Sequence, residues 1–168
     1  MKIQKLDVSV AVLAGLSCLT MLIDLPVWAL FIGWAWYFAL GANVSCFAKA
    51  IPPMILGYVL AGVAIIVFSL SNFNIIALCV IVGFTVFIIM LSLKVNLFSH
   101  SLASFNAYSC MFVGYYAASF PKAESWALDI NNIIVCIGWL SLANIIGLCF
   151  GYASVKLGFL GAASANAV

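Results

Sequence analysis

The chain alternates long apolar runs with short polar breaks, and almost nothing else. A transmembrane helix needs about 20 mostly apolar residues, and the breaks leave six such runs: residues 8–23, 27–40, 53–70, 75–93, 102–120 and 133–155. Pro26 marks a tight turn between the first two, because proline lacks an N–H and disfavours helix in the residue before it. Gly41-Ala42-Asn43 closes the second run, and Pro52-Pro53 stands where a helix can begin without losing an internal bond. Ser71-Asn72-Phe73-Asn74, residues 94–101 and residues 121–132 supply the remaining breaks. The pattern predicts one all-α polytopic membrane domain over residues 1–168, with a short tail from 158, and no inserted polar domain.

Composition sharpens this expectation. Hydrophobic residues make up 68% and charged residues 6%, with a mean hydropathy of +1.32, whereas soluble domains carry about 25% charged residues. Lipid is the solvent such a surface requires. The lysine-containing apolar start has the character of a signal peptide, yet no small-residue cleavage site leads into a polar domain, so a retained first span is expected.

Six spans with an inside amino terminus place Lys2, Lys5, Lys49, Lys94 and Lys156 in the cytoplasm and Lys122 outside, with Asp24, Glu124 and Asp129 also outside. That is the positive-inside asymmetry, and both termini are then cytoplasmic. Trp28 and Trp126 fall at outer span ends, where indoles anchor at headgroup level.

Three spans followed by three more predict an inverted repeat, with half-repeats 7–72 and 73–157. Phe31-Ile32-Gly33-Trp34-Ala35-Trp36-Tyr37-Phe38 aligns with Phe105-Asn106-Ala107-Tyr108-Ser109-Cys110-Met111-Phe112, so that phenylalanine, small and aromatic positions coincide. Chance matches between spans rich in Phe, Gly and Ala are the plainer explanation to be weighed against it.

Residues 50–93, 101–121 and 130–155 contain no Asp, Glu, Lys, Arg or His. A proton relay or a counter-ion for a charged substrate needs one, so passive passage of a small neutral solute is expected rather than proton coupling. Ser101, Phe105, Tyr108, Phe112, Tyr115 and Ser119 recur at steps of four and three, forming one stripe of a helix. Such a stripe can line a passage, with Trp34 and Phe38 opposite; equally, it can be an aromatic helix interface whose hydroxyls bond nearby backbone. Asn144, Gly147, Gly151 and Ser154 form a close-packing face, as do Gly57 and Ala61; these faces are expected to serve subunit contacts in a homo-oligomer, and Asn144 is also a candidate solute contact. Asp24 is a candidate outer mouth, or simply a solvated helix end. His100 lies in an inner loop, where a solvated histidine is the plain reading and a pH-sensitive gate the sharper one.

Other classes recede. The chain has no arginine, its lysines are isolated, and no nucleic-acid partner is expected. The six cysteines stand singly, without metal-ligand spacing, and read as small apolar side chains. No cofactor, metal or enzyme motif is found, and the Asn43-Val44-Ser45 sequon falls on the inner side. The alternative to a channel or facilitator is a scaffolding or regulatory subunit that transports nothing.

Residues 28–41, WALFIGWAWYFALG, resemble the YcdZ-like group of small bacterial inner-membrane proteins, a domain of unknown function with a similar W-A-x-F-x-G-x-x-x-Y-F-A run after the first span. Gly147-Leu148-Cys149-Phe150-Gly151-Tyr152-Ala153 is similar to that group's G-L-x-F-G-Y-A ending. The resemblance implies a bacterial inner-membrane location and no particular substrate; the tyrosine-rich fifth span departs from the group.

Overall fold

Short polar side chains (Asp7, Asn43, Asn74 and Asp129) and one proline, Pro26, start five of the described helices. The computed structural model describes residues 3–121 and 129–159, so the sequence-based assignments for Lys2, Lys122, Glu124 and Trp126 lie outside the described residues. Helix α1 (Lys5–Ser17) opens with Asp7 accepting from the Gln4 N–H at 2.8 Å, a reciprocal cap of the first turn. It continues as a 3-10 segment, Cys18–Ile23, and stops at left-handed Asp24. Pro26 leads into α2 (Val27–Ala39).

Helix α3 (Ser45–Leu70) begins two turns before the Pro52-Pro53 start expected from the sequence. Asn43 takes over that role: its Oδ1 accepts from the Ser45 N–H at 2.9 Å, so the helix is already running when the prolines arrive. They remove the N–H groups that would reach Ala48 and Lys49, a loss that apolar, helix-packed segments tolerate. Asn74 caps α4 (Ile75–Ser92) through bonds from Ile76 N and Ala77 N at 2.9 and 3.2 Å.

Helix α5 (Ser101–Tyr116) ends earlier than the predicted residue 120. Ala118 is left-handed, and Ser119 N bonds back to the Gly114 carbonyl at 2.8 Å, closing the helix as αL caps do. Helix α6 (Ile130–Phe159) starts at Asp129, whose carboxylate accepts from Asn131 N at 2.8 Å, and therefore begins before the expected residue 133.

Helices α3 and α6 form the centre of the bundle; α2 lies along α6, α5 along α3, α1 outside α6 and α4 outside α3. Small residues set the two closest approaches. A Cβ on Gly33 would stand 2.0 Å from the Asn144 carbonyl oxygen, and one on Gly147 would stand 2.0 Å from that of Leu30. On the other side, a Cβ on Gly57 would meet the Ser104 carbonyl oxygen at 2.2 Å. Backbone here lies directly on backbone. The small-residue faces expected to hold subunits together are consequently consumed within the chain: Gly57 faces α5, while Gly147 and Gly151 face Leu30 and Tyr37 of α2.

Among the described residues, four segments are long and apolar enough to cross a membrane: Lys5–Ile23, Ser45–Leu70, Ile75–Ser92 and Ile130–Phe159. Helices α2 and α5, with 13 and 16 residues, reach only about 20 and 24 Å at 1.5 Å per residue. The first turn of α1 lies against the last of α6, where Gly158 meets Leu6, and Tyr37 at the end of α2 packs on Tyr152 with ring centroids 6.4 Å apart. At the opposite end, the Trp139 Nε1–H donates to the Asp24 carbonyl at 3.1 Å. Lys5 and Lys156 therefore share one end, and Asp24 lies at the other.

Candidate functional site

The midpoints of the two longest helices carry a buried polar pair. Tyr58 is at the centre of α3 and Asn144 at the centre of α6, and both are fully buried. The Tyr58 hydroxyl donates to Asn144 Oδ1. Asn144 Nδ2 in turn donates to the Ala29 carbonyl of α2 at 2.7 Å, so one amide joins three helices. Cys110 of α5 and Cys136 of α6 stand beside the phenol. An amide and a hydroxyl in so apolar a place need partners, because burying either unpaired costs about 1–3 kcal/mol. The arrangement offers hydrogen-bond donors and acceptors without a charge.

Outside this centre, helices α2 and α5 are joined by Trp36, whose Nε1–H donates to Asn106 Oδ1 at 2.9 Å. This bond decides where the predicted pathway residues lie. Residues two apart on a helix point about 200° from each other, so with Trp36 and Asn106 facing, Trp34 and Tyr108 are turned away. Trp34 stacks on Phe31 at 5.8 Å and leans on Phe150 of α6 at 5.6 Å. Tyr108 is turned to α4, its hydroxyl 2.8 Å from Thr85 Oγ1. Phe38, on the edge of α2, shares a cleft with Val10 and Ala14 of α1. Trp34 and Phe38 thus do not stand opposite the α5 stripe.

Within the stripe, Tyr108 and Phe112 are ring neighbours at 5.4 Å, and Phe112 continues to Tyr116 at 6.3 Å. Tyr115 stacks on Phe120 at 6.2 Å, Phe105 is half-buried against the core, and Ser119 lies beyond the end of the helix. Asn144 is the one predicted pathway residue at the molecule's centre. Sequence reasoning missed Tyr58, Trp36, Asn106 and Thr85.

Asp24 borders a cavity of about 470 Å³ with Trp28, Leu25, Ser119 and Phe120, between the α1–α2 turn and the segment after α5. Its carboxylate side chain is exposed there, while its carbonyl is held by Trp139. No group of three or more His, Cys, Asp or Glu residues that could hold a metal occurs among the described residues, and the six cysteines are unpaired.

Residues 7–159, from the first turn of α1 to the end of α6, match the family model described as a protein of unknown function, DUF1097. The chain belongs to that family. No curated protein and no solved structure matches it.

Proposed function

We propose that the chain crosses the bilayer six times as two inverted three-helix halves, and that it is a passive channel or facilitator for a small, mostly neutral solute, closed in the arrangement described. The observation that carries this reading is the uncharged Tyr58–Asn144–Ala29 centre at the midpoints of α3 and α6, the depth at which repeat-built carriers bind their solutes. Contacts support the repeat. The alignment of Phe31 with Phe105 also pairs Leu30 with Ser104. Those are the two residues whose carbonyls meet Gly147 and Gly57. The packing order agrees as well, since α2 on α6 and α1 on α6 correspond to α5 on α3 and α4 on α3.

Lys5 and Lys156 at one end and Asp24 at the other favour cytoplasmic termini, and the YcdZ-like resemblance suggests the bacterial inner membrane. Assembly as a homo-oligomer would use the outer faces of α1 or α4, because the glycine faces are occupied. The test is flux into liposomes. Urea, glycerol, formamide or a protonated weak acid should enter faster than into empty vesicles, and Asn144→Leu should slow entry; no acceleration for any of them sinks the proposal.

A scaffolding or regulatory subunit is the second reading, favoured by the backbone contacts at Gly33, Gly147 and Gly57, which leave no gap between the paired helices. Crosslinking in native membranes separates the two readings: a partner captured at fixed stoichiometry, together with absent flux, selects the subunit.

A further inference from the structure

Helices α2 and α5 turn equivalent positions outward, and only those of α2 are apolar. The register that pairs Phe31 with Phe105 pairs Ile32 with Asn106 and Ala35 with Ser109. On α2, Ala35 is exposed and Ile32 half-buried, and hydrocarbon suits both. On α5, Ser109 is exposed and Asn106 half-buried, at the sixth and ninth of sixteen residues and so away from both helix ends. In the six-span reading lipid surrounds them there, and it offers no hydrogen-bond partner.

Polar side chains on other helices are met within the chain. Ser9 donates to the Ser154 carbonyl at 2.8 Å, Thr85 meets Tyr108 at 2.8 Å, and Asn144 uses both ends of its amide. Asn106 uses only its Oδ1, which accepts from Trp36. Its Nδ2 and the Ser109 hydroxyl have no partner among the described residues, and both can be reached from outside the chain. Leu102 and Val113, 42% and 53% exposed, extend the same stripe. Leu102, Asn106, Ser109 and Val113 follow at steps of four, three and four, the spacing of a seam along which two helices pack.

We propose that this stripe of α5 binds the same stripe of a second copy, the two helices running parallel about a two-fold axis along the membrane normal. Asn106 Nδ2 of each copy donates to Ser109 Oγ of the other. The Ser109 hydroxyl donates in return to the other copy's Asn106 Oδ1, which has a lone pair besides the one taken by Trp36. The stripe is complementary to itself, as a two-fold contact requires. Residues 101–121 carry no charge, so a charged partner has nothing to pair with. The contact is separate from any assembly through α1 or α4, whose outer faces are apolar. It rests on α5 lying in the hydrocarbon, as in the six-span reading, but not on solute flux.

Oxidative crosslinking in membranes tests it, using the full-length protein with Cys18, Cys79 and Cys149 replaced by alanine. Adding Ser109→Cys should give a disulfide-linked species of twice the chain's mass. Adding Ala35→Cys at the equivalent place on α2 should not. Without crosslinking, Ser109→Val should weaken association about tenfold as lipid is added and leave the thermal midpoint unchanged, because Ser109 has no bond within the chain. Ser109→Thr, which has the shape of valine and keeps the hydroxyl, should associate like the unaltered protein. Equal association of the Val and Thr variants overturns the proposal. So does a crosslink to a species of another mass, which makes the occupant a different protein. If the Ser109→Cys variant neither crosslinks nor reacts with a membrane-impermeant maleimide, the contact alone fails; if it reacts, α5 is in water and the six-span reading fails with it.

Discussion

The crossing of α2 over α6 and that of α5 over α3 reach the same closeness by different means. In the first, each helix gives a glycine to the other's backbone, Gly33 to Asn144 and Gly147 to Leu30, and the Asn144 amide then ties Ala29 across the contact. In the second, only α3 gives a glycine. Gly57 faces the Ser104 carbonyl, and the Ala107 methyl fills the remaining space 3.1 Å from where a Cβ would be. Reciprocal glycines leave no side chain that can move aside, whereas a single glycine leaves one helix free to adjust. The first crossing should therefore be the stricter.

Substitution at the stricter crossing gives the largest expected effect. Gly147→Val or Gly33→Val should cost about 3 kcal/mol or more, read as loss of the monodisperse peak in size-exclusion chromatography; a stable Gly147→Val protein would break the comparison. Gly57→Ala should be milder, about 2 kcal/mol, seen as a lower thermal midpoint with the peak retained. If it proves worse than Gly147→Ala, the ranking of the crossings is reversed.

The Asn144 tie sharpens the same contrast. Asn144→Ala should cost about 1–2 kcal/mol and Tyr58→Phe about 1 kcal/mol, in line with hydrogen bonds inside membranes. The double variant should fall short of their sum, because each single change already breaks the shared bond. Additive losses would mean that the two residues act separately. Smallest of all, Gly83→Ala should change stability by less than about 1 kcal/mol and in the favourable direction, since a Cβ there has nothing within 4 Å. It is the control for glycine replacement away from any crossing.

Hydropathy made the helical architecture legible, because polar breaks in so apolar a chain are conspicuous. Boundaries were less so. Pro52-Pro53 reads as a helix start until Asn43 is recognised as the acceptor that starts α3 earlier, and Phe120 reads as helical although Ala118 has already turned left-handed. The polar centre was half legible. Asn144 stands out as an amide among apolar residues, but Tyr58 has no local signal: its partner is 86 residues away, and only the packing of α3 on α6 brings them together. The facing of α2 and α5 was misjudged for a related reason. A stripe of hydroxyls and rings fixes which residues share a helix face, but not which helix that face meets, and the Trp36–Asn106 bond turns the stripe away from α2.

The shortness of α2 also has a mechanical consequence. At 13 residues it spans about 20 Å, some 10 Å less than a typical hydrocarbon layer. If it stands in the bilayer, the membrane beside its exposed Phe31 and Phe38 must thin, or headgroups and water must sink toward its ends. Either deformation costs a fraction of a kcal/mol per Å of mismatch. A helix this short would therefore tie the protein's energy to membrane thickness and favour thinner bilayers.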